Sequence, residues 1–306
     1  VGSGDDIVIS VEGLRKSYGG FEAVRGVDFE VKRGHVLALL GPNGAGKTTT
    51  VEILEGYRKR DAGSVCVLGR DPSHRDKELR SRVGIVLQEC AVDQYLTVTE
   101  AITQRAGLYR APRPVDEVVS LVGLGAKGDA RIKTLSGGQQ RRLDLGLALV
   151  GDPELIFLDE PTTGFDPSAR RESWDLVRGL CAEGRTVVLT THYMDEAQAL
   201  ADQVTVIAAG RVVASGTPDT LGGRDQGETT VRFLLPDGVG VGDLPLPAGL
   251  HPEVRCGAVE VCLPDATDLL HDLTGWALNR GQALEGLTVK RPSLEDVYLA
   301  LTGGDA

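Results

Sequence analysis

The segment Gly41-Pro42-Asn43-Gly44-Ala45-Gly46-Lys47-Thr48 fits the pattern G-x-x-x-x-G-K-[ST]. Glycines let successive backbone N–H groups turn to one side, and such a nest accepts anions. A helix that starts directly after it adds its own unpaired N–H groups. Lys47 supplies a mobile cation able to reach terminal phosphates, and Thr48 a hydroxyl able to ligate Mg²⁺. Pro42, Asn43, Ala45 and Thr49 belong to the same expected phosphate cradle. The letters alone also describe a Gly-rich turn with an incidental lysine. The apolar run 36–40 before them and the helical pattern 49–57 after them supply the strand–loop–helix context that phosphate binding requires.

A second group of chemically able residues ends another apolar run. Leu155-Ile156-Phe157-Leu158-Asp159-Glu160-Pro161 reads as a strand closing on two acids. Side chains alternate along a strand, so Asp159 and Glu160 are expected on opposite faces, one beside a metal ion and the other toward a water. Parallel strands of an open α/β sheet present ligands at their carboxyl ends, where these acids lie. Between the two groups stands Leu135-Ser136-Gly137-Gly138-Gln139. Ser136 is a natural N-cap for a helix beginning near Gly138, and that helix start offers a second set of free N–H groups.

These residues need a scaffold, and the pattern supplies one. Strands are expected at 7–11, 27–31, 36–40, 65–68, 83–87, 155–158, 186–190, 204–208 and 212–215. Several are apolar throughout, as in parallel strands buried on both faces. Between 97 and 150 the strand signal stops and helices are expected at 99–109, 115–122 and 139–150, a helical insertion at about 92–150. Breakers Thr217-Pro218 and Gly222-Gly223 mark a boundary near 220. From 221 to 306 the expected pattern is a small α+β domain, with strands at 229–235, 253–255, 259–263 and 287–290. Its helices are expected at 267–279 and 294–301, the last capped by Ser293.

Acidic residues outnumber basic ones, 44 to 33, for a net charge of -11. A general nucleic-acid binder carries the opposite balance, so no nucleic-acid partner is expected. No apolar run reaches transmembrane length. The opening residues 1–6 have neither the basic nor the apolar region of a secretory signal. Five scattered cysteines without a CxxC pair argue for reduced thiols, with Cys256 and Cys262 close enough in sequence to be compared. His35, His74, His251 and His271 show no metal-ligand spacing.

Taken in order, these motifs resemble the ATP-binding-cassette (ABC) family. Leu-Ser-Gly-Gly-Gln lies between the phosphate loop and the acidic strand, as the family signature does. Tyr18 stands where the family keeps an aromatic that stacks on adenine. Gln88 matches its glutamine loop, Asp166 in Thr163-Gly164-Phe165-Asp166-Pro167 its D-loop, and His192 its switch histidine. The resemblance covers residues 7–220. Phe165 departs from the commoner leucine, while Asp166 is intact. Thr162-Thr163, Tyr193-Met194-Asp195-Glu196-Ala197 and the tail Pro292–Leu299 are similar to the bacterial daunorubicin-resistance-type drug-export subgroup.

The resemblance implies an α/β P-loop NTPase cassette (1–220) with a helical insertion subdomain, plus a small α+β C-terminal domain (221–306). It implies ATP and Mg²⁺ as cofactors, with Thr48, Gln88 and Asp159 around the metal. Glu160 would polarise the attacking water, and His192 would contact the γ-phosphate. Tyr18, the 41–49 segment, Gln88, Asp166 and, from a second copy, Ser136 and Gly138 would hold the nucleotide. A homodimer, an integral membrane permease subunit and a peripheral place on the cytoplasmic face of the cell membrane are implied as well. Efflux of drugs or other hydrophobic compounds is the expected role. The alternatives are an importer ATPase, or a non-transport ABC ATPase. The chain lacks the long heptad insertion of repair cassettes and the doubled phosphate loop of translation cassettes.

Overall fold

The computed structural model describes residues 7–86, 92–224, 227–236, 238–247, 249–255 and 257–302. Gln88 and Cys256, singled out in the sequence, lie outside the described residues. The chain folds as two compact units, one running to Pro218 and one from Asp219.

In the first unit, β1 (Ile7–Tyr18) and β2 (Phe21–Lys32) precede β3 (Val36–Leu40), α1 (Lys47–Leu54) and β4 (Ala62–Val67). Next come α2 (Lys77–Ser81), β5 (Val83–Val86), α3 (Val98–Ala106), α4 (Val115–Leu121) and α5 (Gly137–Leu149). The unit closes with β6 (Leu155–Asp159), α6 (Pro167–Ala182), β7 (Thr186–Thr190), α7 (Met194–Leu200), β8 (Gln203–Ala208) and β9 (Arg211–Gly216).

Six strands form one sheet in the order β5-β6-β7-β3-β8-β9, parallel except for β9. Every residue of β3 and of β7 is buried, which is why their sequences are apolar runs rather than alternations. A second, antiparallel sheet has the order β2-β1-β4. One hydrophobic core joins the two sheets. Val8, Leu14, Val24 and Val27 from the antiparallel sheet pack with Leu37, Leu39, Phe157 and Ile207 of the parallel one, and α1 adds Val51, Ile53 and Leu54.

The helical insertion packs on itself. Val98 and Ile102 of α3, Val118 of α4, Val122 just after it and Leu143 of α5 are all buried. Gly146 lets α5 come close to its neighbours, since a Cβ there would lie 3.4 Å from Ile102 and 3.5 Å from Val118 and Val122.

Several elements differ from the sequence expectation. β1 and β2 run seven and six residues further toward their shared turn, because their outer halves bury only Leu14, Ala23 and Val24 among polar neighbours, too few for a continuous apolar run. α1 begins at Lys47 rather than Thr49. α6 and α7 were not anticipated. α6 buries Val177 and Leu180 fully and half-buries Trp174, Leu176 and Cys181, a face that mixes polar Ser173 with these residues.

The second unit has β10 (Thr229–Leu234), β11 (Glu253–Arg255), β12 (Ala258–Leu263), α8 (Thr267–Arg280), β13 (Thr288–Lys290) and α9 (Leu294–Thr302). Its antiparallel sheet has the order β11-β12-β10-β13. Phe233, Val231, Val259 and Val261 form its core with Leu269 and Leu273 of α8. Ser293 caps α9, its hydroxyl accepting from the Asp296 amide at 3.0 Å. Among the described cysteines, Cys66, Cys181 and Cys262 are free thiols.

Candidate nucleotide site

The phosphate loop is built by close approach. It leaves β3 and passes so near β8 that a Cβ on Gly41 would lie 2.1 Å from the Ile207 carbonyl oxygen. Gly46 has φ 101°, and a Cβ there would lie 2.5 Å from the Ala23 carbonyl oxygen of β2. Both positions admit only glycine, so the loop's curvature is imposed by the strands on either side. Gly46 also stands at the N-cap of α1, where no side chain makes a capping hydrogen bond. The first amides of α1, at Lys47, Thr48 and Thr49, therefore face the loop without an intrahelical acceptor.

Lys47 folds back across this cradle. Its Nζ donates to the Gly41 carbonyl at 2.5 Å and the Pro42 carbonyl at 3.0 Å. The side chain is buried. Burial holds its ammonium below the usual lysine range, and the Glu160 and Asp159 carboxylates oppose that shift. Lys47 and the two acids therefore share one electrostatic environment. Thr48 is exposed on the first turn of α1, and Thr50 donates to the Gly46 carbonyl at 2.9 Å.

Asp159 ends β6, and its Oδ1 accepts from the Thr190 hydroxyl of β7 at 2.5 Å. Glu160 is not the next residue of the strand, as strand alternation would have it. Its φ is 46°, a left-handed turn that carries its side chain out of the strand register. Its N–H donates to the Thr190 carbonyl at 3.1 Å. Its carboxylate sits 3.1 Å from His192 Nδ1 and accepts from the Thr163 hydroxyl at 3.2 Å. The structure thus brings Glu160 and His192 together, both partly exposed at the carboxyl edge of the sheet.

Two expected site residues are engaged elsewhere. Asp166 caps α6, its Oδ1 accepting from the Ser168 and Ala169 amides at 2.9 Å. Ser136 caps α5 in a closed box: its hydroxyl accepts from the Gln139 amide at 3.3 Å, while Gln139 Oε1 accepts from the Ser136 amide at 3.0 Å. The second set of free N–H groups expected here is therefore reduced by its own cap. No described hydrogen bond joins Ser136 or Gly138 to the phosphate loop of the same chain. Tyr18 ends β1 with its ring partly exposed, and the Arg58 guanidinium lies 5.2 Å from its centroid.

Arg141 stands in the signature helix, and its contacts with the acidic strand end were not legible in the sequence. Arg141, on the second turn of α5, donates from Nη2 to the Asp159 carbonyl at 2.6 Å and the Glu160 carbonyl at 3.3 Å. These partners are backbone atoms, so no side-chain pattern announces them. A groove of about 850 Å³ opens between α2, α3 and α5, lined by Glu55, Arg80, Gln104, Arg105, Tyr109 and Asp144 among others. Burial, with help from Asp159 and Glu52, pushes the Glu55 carboxyl up to about 8.

The family model described as ABC transporter matches residues 24–163, and a model for an ABC-transporter-like C-terminal domain matches 229–293. A daunorubicin resistance ATP-binding protein of Streptomyces coeruleorubidus is 38% identical over 98% of this chain and 97% of its own. The chain belongs to the ABC transporter ATP-binding family. This ABC chain is also 38% identical to the Nod factor export ATP-binding protein I of Burkholderia pseudomallei, over 96% of the chain and 97% of that protein. Among solved structures it is similar to a Clostridium perfringens subunit of an ABC transporter complex, at 30% identity and TM-score 0.64. That match covers 70% of this chain and 90% of the other. It is likewise similar to a dimeric ATP-binding cassette bound to ADP and Pi, at 25% identity and TM-score 0.62, over 68% of this chain and 98% of that one. Membership of the ABC family makes ATP the nucleotide of this chain.

The donor set fits Mg²⁺ as well. Mg²⁺ binds through one or two carboxylates and substrate phosphates rather than an all-protein cage. Asp159, at the end of β6 and close enough to Lys47 to act on its charge, and the exposed Thr48 on the first turn of α1 carry oxygen donors of the kind Mg²⁺ takes.

Proposed function

We propose that this chain is the ATP-hydrolysing subunit of a membrane exporter acting on drugs or other hydrophobic compounds. The observation that carries the ATPase reading is the Glu160–His192 pair, 3.1 Å apart, in the same field as the buried Lys47. Backbone amides of residues 41–49 and the Lys47 ammonium bind the β- and γ-phosphates. Thr48, Asp159 and Gln88 would hold Mg²⁺, which would supply neutralisation of charge on the phosphate oxygens. Glu160 accepts a proton from the attacking water, and His192 orients that carboxylate and reaches toward the γ-phosphate. Tyr18 stacks on the adenine.

The nucleotide site is completed by a second copy. Ser136 and Gly138 of one copy close over the phosphate loop of the other. The likeness to a dimeric ATP-binding cassette bound to ADP and Pi supports this arrangement. Asp166 lies at the same seam. The groove beside α2 and α3 receives a separate integral membrane permease, which places the chain peripherally at the cytoplasmic face of the membrane. Among the described residues no helix is long and apolar enough to cross a membrane, and we assign the transport path to that permease. The names of the drug-resistance and Nod factor export relatives support export over import.

Glu160→Gln tests the reading. It keeps shape and removes the proton acceptor, so hydrolysis is expected to fall by about 10²–10⁴-fold. ATP binding should persist, giving an ATP-dependent dimer on size exclusion. Hydrolysis at the parent rate would overturn the assignment of Glu160.

A further inference from the structure

We infer that Arg141 is a positioning residue that ties the signature helix to the backbone of Glu160, and so links what α5 senses to the geometry of hydrolysis in its own chain. The inference rests on the reading of Glu160 as the water-polarising residue.

The argument begins with Glu160's backbone. A non-glycine residue at φ 46° is held there only when its surroundings over-determine it. Its peptide groups are restrained from two sides. The N–H is fixed to β7 through the Thr190 carbonyl at 3.1 Å and the Thr190 hydroxyl at 3.2 Å. The carbonyl, with that of Asp159, is held by the Arg141 guanidinium from α5. Hydrogen bonds from a charged donor are shorter and stronger than neutral ones. The sheet therefore anchors one end of the residue and the helical insertion the other.

The Glu160 side chain has its own restraints from Thr163 and His192. These set where the carboxylate points, given a backbone position. Arg141 acts earlier, on that backbone position. Any shift of α5 relative to β6 pulls on two consecutive carbonyls and turns the Cα–Cβ direction of Glu160.

Ser136, the cap of the same helix, lies five residues away. In the proposed dimer it meets the ATP held by the partner's loop. One end of α5 then reports on the partner's nucleotide, and Arg141 carries that displacement to the residue serving the chain's own nucleotide. The route is short and lies within one rigid helix.

The test is steady-state ATP hydrolysis by the full chain carrying Arg141→Ala or Arg141→Lys, with each variant also placed in the Glu160→Gln background. Displacing a reacting group by about 1 Å costs on the order of 10²-fold. Arg141→Ala should lower kcat by about 10–100-fold with KM within about two-fold. Arg141→Lys, able to reach one carbonyl, should recover much of the loss. In the Glu160→Gln background, Arg141→Ala should leave the ATP-dependent dimer on size exclusion unchanged. A parental kcat in Arg141→Ala overturns the inference, as does loss of the ATP-dependent dimer in the double variant, which would make Arg141 a binding or folding residue. Vigorous hydrolysis by Glu160→Gln alone would instead sink the reading of Glu160. A silent Glu160→Gln beside a fully active Arg141→Ala would sink only this inference.

Discussion

The phosphate loop at 41–48 and the signature turn at 135–139 are both glycine-rich entries to a helix, and they resolve their helix starts in opposite ways. At the phosphate loop the N-cap is Gly46, which has no side chain to offer, and the amides of α1 stay directed into the loop. At the signature turn Ser136 and Gln139 satisfy each other's amides in a capping box. The first is open to an anion as it stands. The second is stable alone and must give up part of its own hydrogen bonding to take a ligand. On the proposed reading, the difference explains how one chain can carry two nucleotide-contacting segments that do not meet: each copy is ready in one and waiting in the other.

The largest way to break this comparison is to strike the open site. Lys47→Ala removes the cation folded over the loop. Hydrogen bonds from a charged group contribute about 1.5–3 kcal/mol, so ATP affinity should weaken by about 10–150-fold. Fluorescent ATP titration measures it. An unchanged dissociation constant would return Lys47 to a structural role.

A second test asks whether the waiting site is filled by another copy. Ser136→Arg and Lys47→Ala should each be inactive as homodimers. In a mixed dimer both lesions fall on one site and leave the other intact. With random pairing about half the dimers are mixed, so mixing two inactive proteins should restore about one quarter of parental hydrolysis. Rescue would establish a site shared between copies. If mixed dimers form and neither hydrolyse nor occlude ATP, the shared site is wrong.

The smallest effect sharpens the point about the cap. Ser136→Ala opens the capping box and should cost about 1 kcal/mol of stability. In a unit of this size that lowers the melting temperature by about 2–4 °C. ATP affinity of the isolated chain should be unaltered, since no described bond ties Ser136 to its own loop. Calorimetry and titration read the two quantities separately. A weakened affinity without a dimer would place Ser136 in its own chain's site.

Much of the scaffold was legible because burial on both faces writes itself as apolar runs. β3 and β7 occupy the residues read from the sequence, and β6, β8 and β9 differ by a residue or so at their ends. The outer halves of β1 and β2 were missed because Arg15–Tyr18 and Phe21–Arg25 mix polar with apolar residues in an irregular, bulged pairing. α6 was missed although its buried and half-buried positions Ser173, Trp174, Val177, Leu180 and Cys181 recur at helical spacing, because polar and small residues share that face with the apolar ones. Within the candidate site, residue types pointed to Lys47, Asp159 and Glu160, and the family resemblance to His192. Their order along the chain did not announce that Glu160 leaves the strand in a left-handed turn, nor that Arg141 reaches two carbonyls. Both depend on backbone conformation and long-range distance, which a string of letters does not encode.

The strand order carries a consequence in time. β3 lies at the middle of the parallel sheet, between β7 and β8. During synthesis its apolar residues 36–40 emerge long before 186–190 and 203–208, the strands it pairs with. At roughly 5–20 residues per second, that delay is on the order of 10–30 s. The phosphate loop, whose floor is the Ile207 carbonyl, cannot close until β8 has been made. A nascent chain therefore exposes the wholly apolar β3 well before its partners exist and completes its nucleotide cradle near the end of the first unit. ATP can reward folding only after that point, so the stability it lends is unavailable to the earlier part of the chain.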